Sequence, residues 1–596
     1  MNSYHYGRRD YNQSHEDNAP LVIVILITLV FVLGAYLLTT RFHVRPYQLV
    51  EISIYFLSLL ASIVATTWYL LTQKARRENT WPHAPVYIPL LKDEDQVRKA
   101  FHQKSVVLGY NVHRRPWLWS DEVRVMQALL AGQSGAGKTT LLRNIITQDV
   151  RRVVGFEGNL HRIPMIIFDG KGDQEFLASL LPEIAAAGRI GQLRILDPSR
   201  PDISARYNPF YSKDNSYQEH VNLIFQSFAL REDFFHGHQA TYLSDLARVL
   251  WHTGKRFNIH DVLVMALDQQ VMREQILEAR YRIEHLSGSS QQQRLNFEMS
   301  VRNLQQSFQD RERVPKIQGL LNELMTFLED DLSIITGPYE DLLTLDDIID
   351  QELILFVSLN VNRNSRAVTA LGRILLQNLQ LMVGKRYQNE RERRREGRPI
   401  VSVTLDEFAP FAYPNFAQIL QTARGTNTAF LFSLQSISQL LSVSRGFRDD
   451  VSSAPNTIML MRTRDEETAQ YFLKASSRIT GKRRTLTVQR KGVFQKKYEE
   501  IGFGSETEIR ETRSHEEHIK NLPVGQMEIL MTDNRLGTLH SHLHVRRPAE
   551  SHLKGIEPML FPCVTTPNAL SHGANLHFKD SGLAQRYARI NGRGAR

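Results

Sequence analysis

The stretch that most limits what this chain can fold into is 131–140, AGQSGAGKTT. Gly132, Gly137, Lys138 and Thr139 fit the spacing G-x-x-x-x-G-K-[ST] of a loop that wraps a phosphate chain. Residues 123–130 ahead of it are apolar enough for a strand, and 141–150 behind it have helical spacing without a breaker. In a strand–loop–helix setting, the backbone N–H groups of Gly132, Gln133, Ser134, Gly135, Ala136 and Gly137 and the helix N-terminus supply fixed positive potential. Lys138 then reaches the β- and γ-phosphates. Thr139, followed by Thr140, places a hydroxyl on Mg²⁺. The expected ligands are ATP and Mg²⁺.

A loop of this kind needs an acidic partner on a neighbouring strand. The run 400–405, IVSVTL, delivers Asp406 and Glu407. Asp406 suits the Mg²⁺ shell, through water, and Glu407 suits orienting and deprotonating an attacking water. The run 429–433, AFLFS, is a further strand leading to Gln435, a polar group placed to sense a γ-phosphate or hold water. Arg424, just before that strand, reads equally as a helix-terminal arginine ahead of a glycine cap or as an arginine finger.

Short apolar runs at 164–168, 193–196 and 353–359 alternate with helical segments, which predicts a mostly parallel sheet with both faces covered. Asp169 and Asp197 fall at strand ends, where ligands collect in such sheets. Between 212 and 341 strand signals stop, and periodic segments (259–266, 271–284, 291–308, 316–328) predict an inserted all-α domain. The expected organisation is therefore α/β, with the nucleotide-binding domain split into 78–211 and 342–547.

The first 77 residues differ in kind. Segment 21–40 has no charge and is long enough to cross a bilayer, and 52–71 is a second, more polar candidate with Trp68 and Tyr69 at its end. Arg8, Arg9, Lys74, Arg76 and Arg77 on the outer flanks, against Arg41 and Arg45 in the link, place both termini in the cytoplasm. A net charge of +10 favours an anionic partner without choosing between nucleic acid and membrane. One cysteine, Cys563, excludes an intramolecular disulfide framework. The stretch 478–497 carries eight basic and no acidic residues, as a pore contact for phosphates or a solvated hairpin. The run 391–396 (RERRRE) reads as a solvated helix end or loop, or a nucleic-acid contact. His540, His542 and His544 alternate along one strand face, but no fourth metal ligand has a clear spacing to them. Residues 548–596 read as a basic tail.

Two apolar N-terminal segments, GQSGAGKTT, IIFDGKGD, the Tyr207-Asn208-Pro209 turn, a long helical insertion, LDEFAPF, TARGTNT with LFSLQSISQL, and Asn456 with DEETA occur here in that order. The set resembles the type IV coupling proteins of bacterial conjugation, the TraD/TraG-like group, over roughly 20–545. The resemblance implies a RecA-like P-loop ATPase held in the inner membrane and assembled as a homo-hexamer. It also implies that the protein links relaxase-bound DNA, single-stranded in transfer or double-stranded in binding, or protein substrates, to the secretion channel. Arg424 and Gln435 match that family's arginine finger and sensor glutamine. The competing classes are an FtsK/HerA-like double-stranded DNA translocase and an ATP-dependent assembly scaffold. The chain shows no recognisable winged-helix domain for the first, and Glu407 argues against the second.

Overall fold

The computed structural model describes residues 90–556 except 157–158, 212–216, 229, 231–234, 286–287, 311, 328–331, 333–334, 338–341, 361–364, 396–397, 477, 491–497, 513, 534–536, 550 and 554, together with Tyr47, Ala61, Ile63, Val64, Thr66 and Thr67. Residues 1–84 and 85–596 are two separate units. Of the first, the six described residues are helical and exposed. The segment 21–40 lies outside the described residues, as does 52–71 apart from five of those six. Among the described residues no helix is long and apolar enough to cross a membrane.

The second unit is mixed α/β around one large sheet. Its strands are β1 (Ser105–Tyr110), β2 (Pro116–Ser120), β3 (Ala128–Ala131), β4 (Val153–Phe156), β5 (Asn159–Arg162), β6 (Met165–Asp169), β7 (Leu193–Leu196), β8 (Ile354–Ser358), β9 (Val401–Asp406), β10 (Thr428–Leu434), β11 (Thr457–Leu460), β12 (Arg478–Arg490), β13 (Tyr498–Thr512), β14 (Gln526–Asp533) and β15 (Gly537–Val545). Eleven of them form the order β2-β1-β15-β14-β11-β3-β10-β9-β6-β8-β7. From β11 to β7 every pairing is parallel. The remaining strands, β14, β15, β1 and β2, are added antiparallel. Alternation along each strand divides the core. Leu129, Ile166 and Phe168 enter the cluster on one face, and Ala128, Leu130, Met165 and Ile167 enter the other.

The strand expected at 123–130 is shorter than its apolar pattern suggested. Asp121–Arg124 is a helical turn, and only Ala128–Ala131 is strand. The reason is a buried ionic cluster. Arg124 makes two bonds to Asp149 (2.8 and 2.5 Å), Arg152 makes two to Asp121, and Ser402 donates to Asp149 at 2.9 Å. Holding Arg124 and Asp121 toward that cluster takes their backbone out of the sheet. The cluster also fixes the helix that follows the phosphate loop against β9.

Helices Tyr217–Ser227, His236–His252, Ile259–Leu267, Gln269–His285, Gln291–Gln309 and Arg313–Thr326 succeed one another with no strand between them among the described residues. Their buried residues, such as Leu246, Val262 and Leu320, are contiguous with the cluster on one face of the sheet. Helix Ser365–Arg395 runs through most of the charged 391–396 stretch. Strands β12 and β13 form a separate hairpin whose register sets Lys482 opposite Glu508 and Arg484 opposite Glu506. The basic strand is thus paired with an acidic one. Residues 557–596, most of the expected tail, lie outside the described residues.

Candidate active site

The loop 132–137 joins β3 to helix Lys138–Arg151. Gly137, at φ 108°, turns the chain into the helix in a conformation an L side chain rarely adopts. Neighbouring strand ends hold the loop open. Gly132 N–H donates to Leu434 O (3.2 Å), Gln133 N–H to Arg462 O (2.9 Å), and Gly525 N–H to Ala136 O (3.1 Å). Ser134 and Gly135 face solvent at the tip, and Ala136 is buried. Those bonds, with Ala136 N–H donating to Gln133 O (3.2 Å), commit three of the N–H groups expected to face phosphate, so the anion cradle is narrower than the sequence implied and rests on the remaining loop N–H groups and the helix N-terminus.

Lys138 is buried and donates to Gly132 O at 2.6 Å, curling back over the loop. Its Nζ is 3.9 Å from Glu407 Oε1. Burial pushes its pKa down, against the pull of Glu407. Thr139 Oγ1 is 3.5 Å from Asp406 Oδ2, so the expected metal pair is brought to one place. Thr140, on the same first turn, is half-buried.

Order in the sheet explains why the acidic pair arrives there. β10 lies between β3 and β9, so Asp406 at the end of β9 is two strands from the loop. Ser433 of β10 fills that gap. Its hydroxyl donates to Asp406 Oδ1 at 2.6 Å and accepts from Glu407 N–H at 3.0 Å. Glu407 takes φ 54°, the left-handed region, which costs a non-glycine residue about 1–2 kcal/mol. That turn aims its carboxylate back toward the loop. Gln435 Nε2 lies 3.1 Å from both Glu407 oxygens.

Two contributors had no role assigned from sequence. Ser433 is one. Lys171, two residues past the end of β6, is the other, with Nζ 3.2 Å from Glu407 Oε1 and 3.8 Å from Asp406 Oδ2. Burial opposes its charge, but the two carboxylates outweigh this and raise its pKa. The available signal was the DGKGD turn, at the end of a strand next to that of the acidic pair. Asp169 pairs in register with Asp406 and accepts from the N–H groups of Lys171 and Asp173. Burial pushes its pKa up to about 6, despite those two bonds. Asp197 is a turn residue instead, bonded to Ser199 and Arg200.

Arg424 ends helix Phe416–Ala423 and is exposed. Among the described residues no hydrogen bond or ion pair joins it to the loop or the acidic pair. The left-handed cap there is Asn427, at φ 56°, and not the glycine expected from sequence. Gly425 is small for another reason: a Cβ there would come within 2.6 Å of the Tyr387 ring.

The model of the type IV secretory system conjugative DNA transfer family matches residues 165–501, more than half the chain. The chain belongs to that family. Asp406, Glu407, Arg424 and Gln435 all lie inside the match, whereas the phosphate loop precedes it and stands on its own geometry. Its phosphate cradle faces an acidic pair, the set of groups that nucleotide hydrolysis needs. No curated protein sequence matches the chain. Similar solved structures include the bacterial conjugative coupling protein TrwBdeltaN70 in an unbound monoclinic form (TM-score 0.47, 14% identity, 76% of this chain and 92% of that one). The plasmid coupling protein TrwB in complex with ADP and Mg²⁺ gives 0.45 at 14% identity, over 78% and 94%. VirB4 of Thermoanaerobacter pseudethanolicus gives 0.41 at 12% identity, over 74% and 96%.

Proposed function

We propose that the chain binds ATP with Mg²⁺ at the 132–140 loop and uses hydrolysis to move DNA, recruited with its relaxase, toward a secretion channel. The observation that carries this is the convergence of Lys138, Thr139, Lys171, Asp406 and Glu407 at the ends of β3, β6 and β9. Lys138 and Lys171 offset phosphate charge from two sides. Thr139 and Asp406, the latter through water, are the protein groups that would hold Mg²⁺, which supplies charge neutralisation on the β- and γ-phosphates when bound. Glu407, held by Gln435 and by the Ser433 contact to its backbone, is aimed to take a proton from water.

The rest of the reading comes from the sequence. Segments 21–40 and 52–71 cross the inner membrane with both termini and the ATPase domain in the cytoplasm. The RecA-like domains, 78–211 with 342–547, assemble as a hexamer and carry the all-α insertion 212–341. Exposed Arg424 then serves a neighbouring subunit's nucleotide, which is consistent with its lying apart from its own chain's site. The test is transfer in cells: a Lys138→Ala chain that inserts normally should give no DNA transfer. Normal transfer by a stable Lys138→Ala protein would reject the motor role.

A further inference from the structure

The histidines of β15 have no part in the nucleotide site, yet they meet ligand-type groups from two other elements. Strand pairing sets Glu528 of β14 directly opposite His542 of β15. Helix Glu516–Lys520 covers that face and brings in His518. His518 Nε2 is 3.1 Å and His542 Nδ1 is 3.0 Å from the same oxygen, Glu528 Oε1. The three donor atoms lie within 4.8 Å of one another. Glu528 and His542 are buried, and His518 is partly open on the outer side.

The surrounding bonds sort these groups into ligands and supports. Glu528 Oε2 is held by Ser514 Oγ at 3.0 Å and by His540 Nε2 at 2.8 Å, which leaves Oε1 turned to the two histidines. His542 Nε2 is 2.9 Å from Gln526 Oε1. In the tautomer whose N–H is given to Gln526, the His542 Nδ1 lone pair is turned toward Glu528 Oε1, the arrangement in which both atoms can hold one cation. Fixing a ring through its outer nitrogen is how proteins prepare a histidine to hold a metal. A tetrahedral ion with bonds of about 2.0–2.1 Å spaces its ligand atoms about 3.3–3.4 Å apart, a few tenths of an ångström from the spacing to Glu528 Oε1 here.

We propose that His518, Glu528 and His542 bind one divalent transition-metal ion, zinc by ligand type, with a water completing the tetrahedron on the open side of His518. Two imidazoles and a carboxylate suit zinc over magnesium or calcium, which prefer all-oxygen shells. The ion ties helix Glu516–Lys520 to the β14–β15 hairpin. Gly525, the residue before β14, bonds the phosphate loop at Ala136, so the ion braces the outer wall of the nucleotide site.

The test uses the untagged full chain in detergent, stripped with a chelator and titrated with Zn²⁺ alone in Mg²⁺-containing buffer. One zinc per chain should bind and raise the thermal midpoint. His518→Ala, a change at a partly exposed position, should lose both effects. His515→Ala, at the exposed N-cap of the same helix, should keep both. The X-ray absorption spectrum of the wild-type zinc form should show two imidazoles and light oxygen ligands at about 2.0–2.1 Å. Sub-stoichiometric uptake, equal uptake by His518→Ala, or a shell without imidazole overturns the site.

Discussion

The Ser433 hydroxyl donates to Asp406 Oδ1 at 2.6 Å while accepting the Glu407 backbone N–H at 3.0 Å. One buried oxygen on β10 therefore fixes both members of the acidic pair at the end of β9. Ser433→Ala leaves a buried N–H and a buried carboxylate oxygen without this partner, a change worth about 1–3 kcal/mol. It should lower both the denaturation midpoint and ATP turnover, whereas Ser433→Thr should retain most of each. Unchanged turnover in Ser433→Ala would separate Ser433 from the site.

Glu407→Gln keeps the side chain's shape and removes the base. Nucleotide binding, followed by a fluorescent ATP analogue, should persist while hydrolysis falls about 10²–10⁴-fold. Loss of binding as well would make Glu407 a structural residue.

Asp169 gives a pH signature. Its pKa rises from 3.8 toward about 6 on folding, chiefly by burial. The folded state thus holds this proton more tightly than the unfolded state. Its contribution to stability is complete below about pH 4, is lost as pH climbs toward 6, and is then constant. Two pKa units correspond to about 3 kcal/mol. Between pH 4 and 6 the thermal midpoint of the wild-type chain should fall relative to Asp169→Asn. Parallel midpoints for the two proteins across that window would contradict this.

Much of the site was legible because it is local in sequence. The phosphate loop, the acidic pair and the strand ends at Asp169 and Asp406 each carry their own pattern. Ser433 and Lys171 do not. Ser433 looks like any residue of an apolar strand until β10 is seen to lie between β3 and β9. Lys171 matters only because β6 neighbours β9. The shortened β3 has the same origin, since the ion pairs that draw Arg124 and Asp121 away reach 25 and 31 residues along the chain. The histidine run on β15 was visible, but its carboxylate partner comes from β14 and its third ligand from a separate helix.

Arg424 tests the ring. A finger supplied in trans can be worth about 10³–10⁵ in turnover. Arg424→Ala should fold, bind ATP and hydrolyse little. Mixed assemblies with Lys138→Ala subunits should regain activity, because an intact loop can then face an intact arginine. Mixed assemblies of verified composition that stay as inactive as either parent would remove the trans role.

The most direct measurement is Mg²⁺-dependent ATP hydrolysis by the purified chain, with and without single- or double-stranded DNA, beside Lys138→Ala. Hydrolysis by the wild type, stimulated by DNA and abolished in Lys138→Ala, is the predicted result. A well-folded wild-type chain that hydrolyses no ATP under any of these conditions, or hydrolysis that survives Lys138→Ala, would contradict the assignment of a DNA-coupled motor to this site.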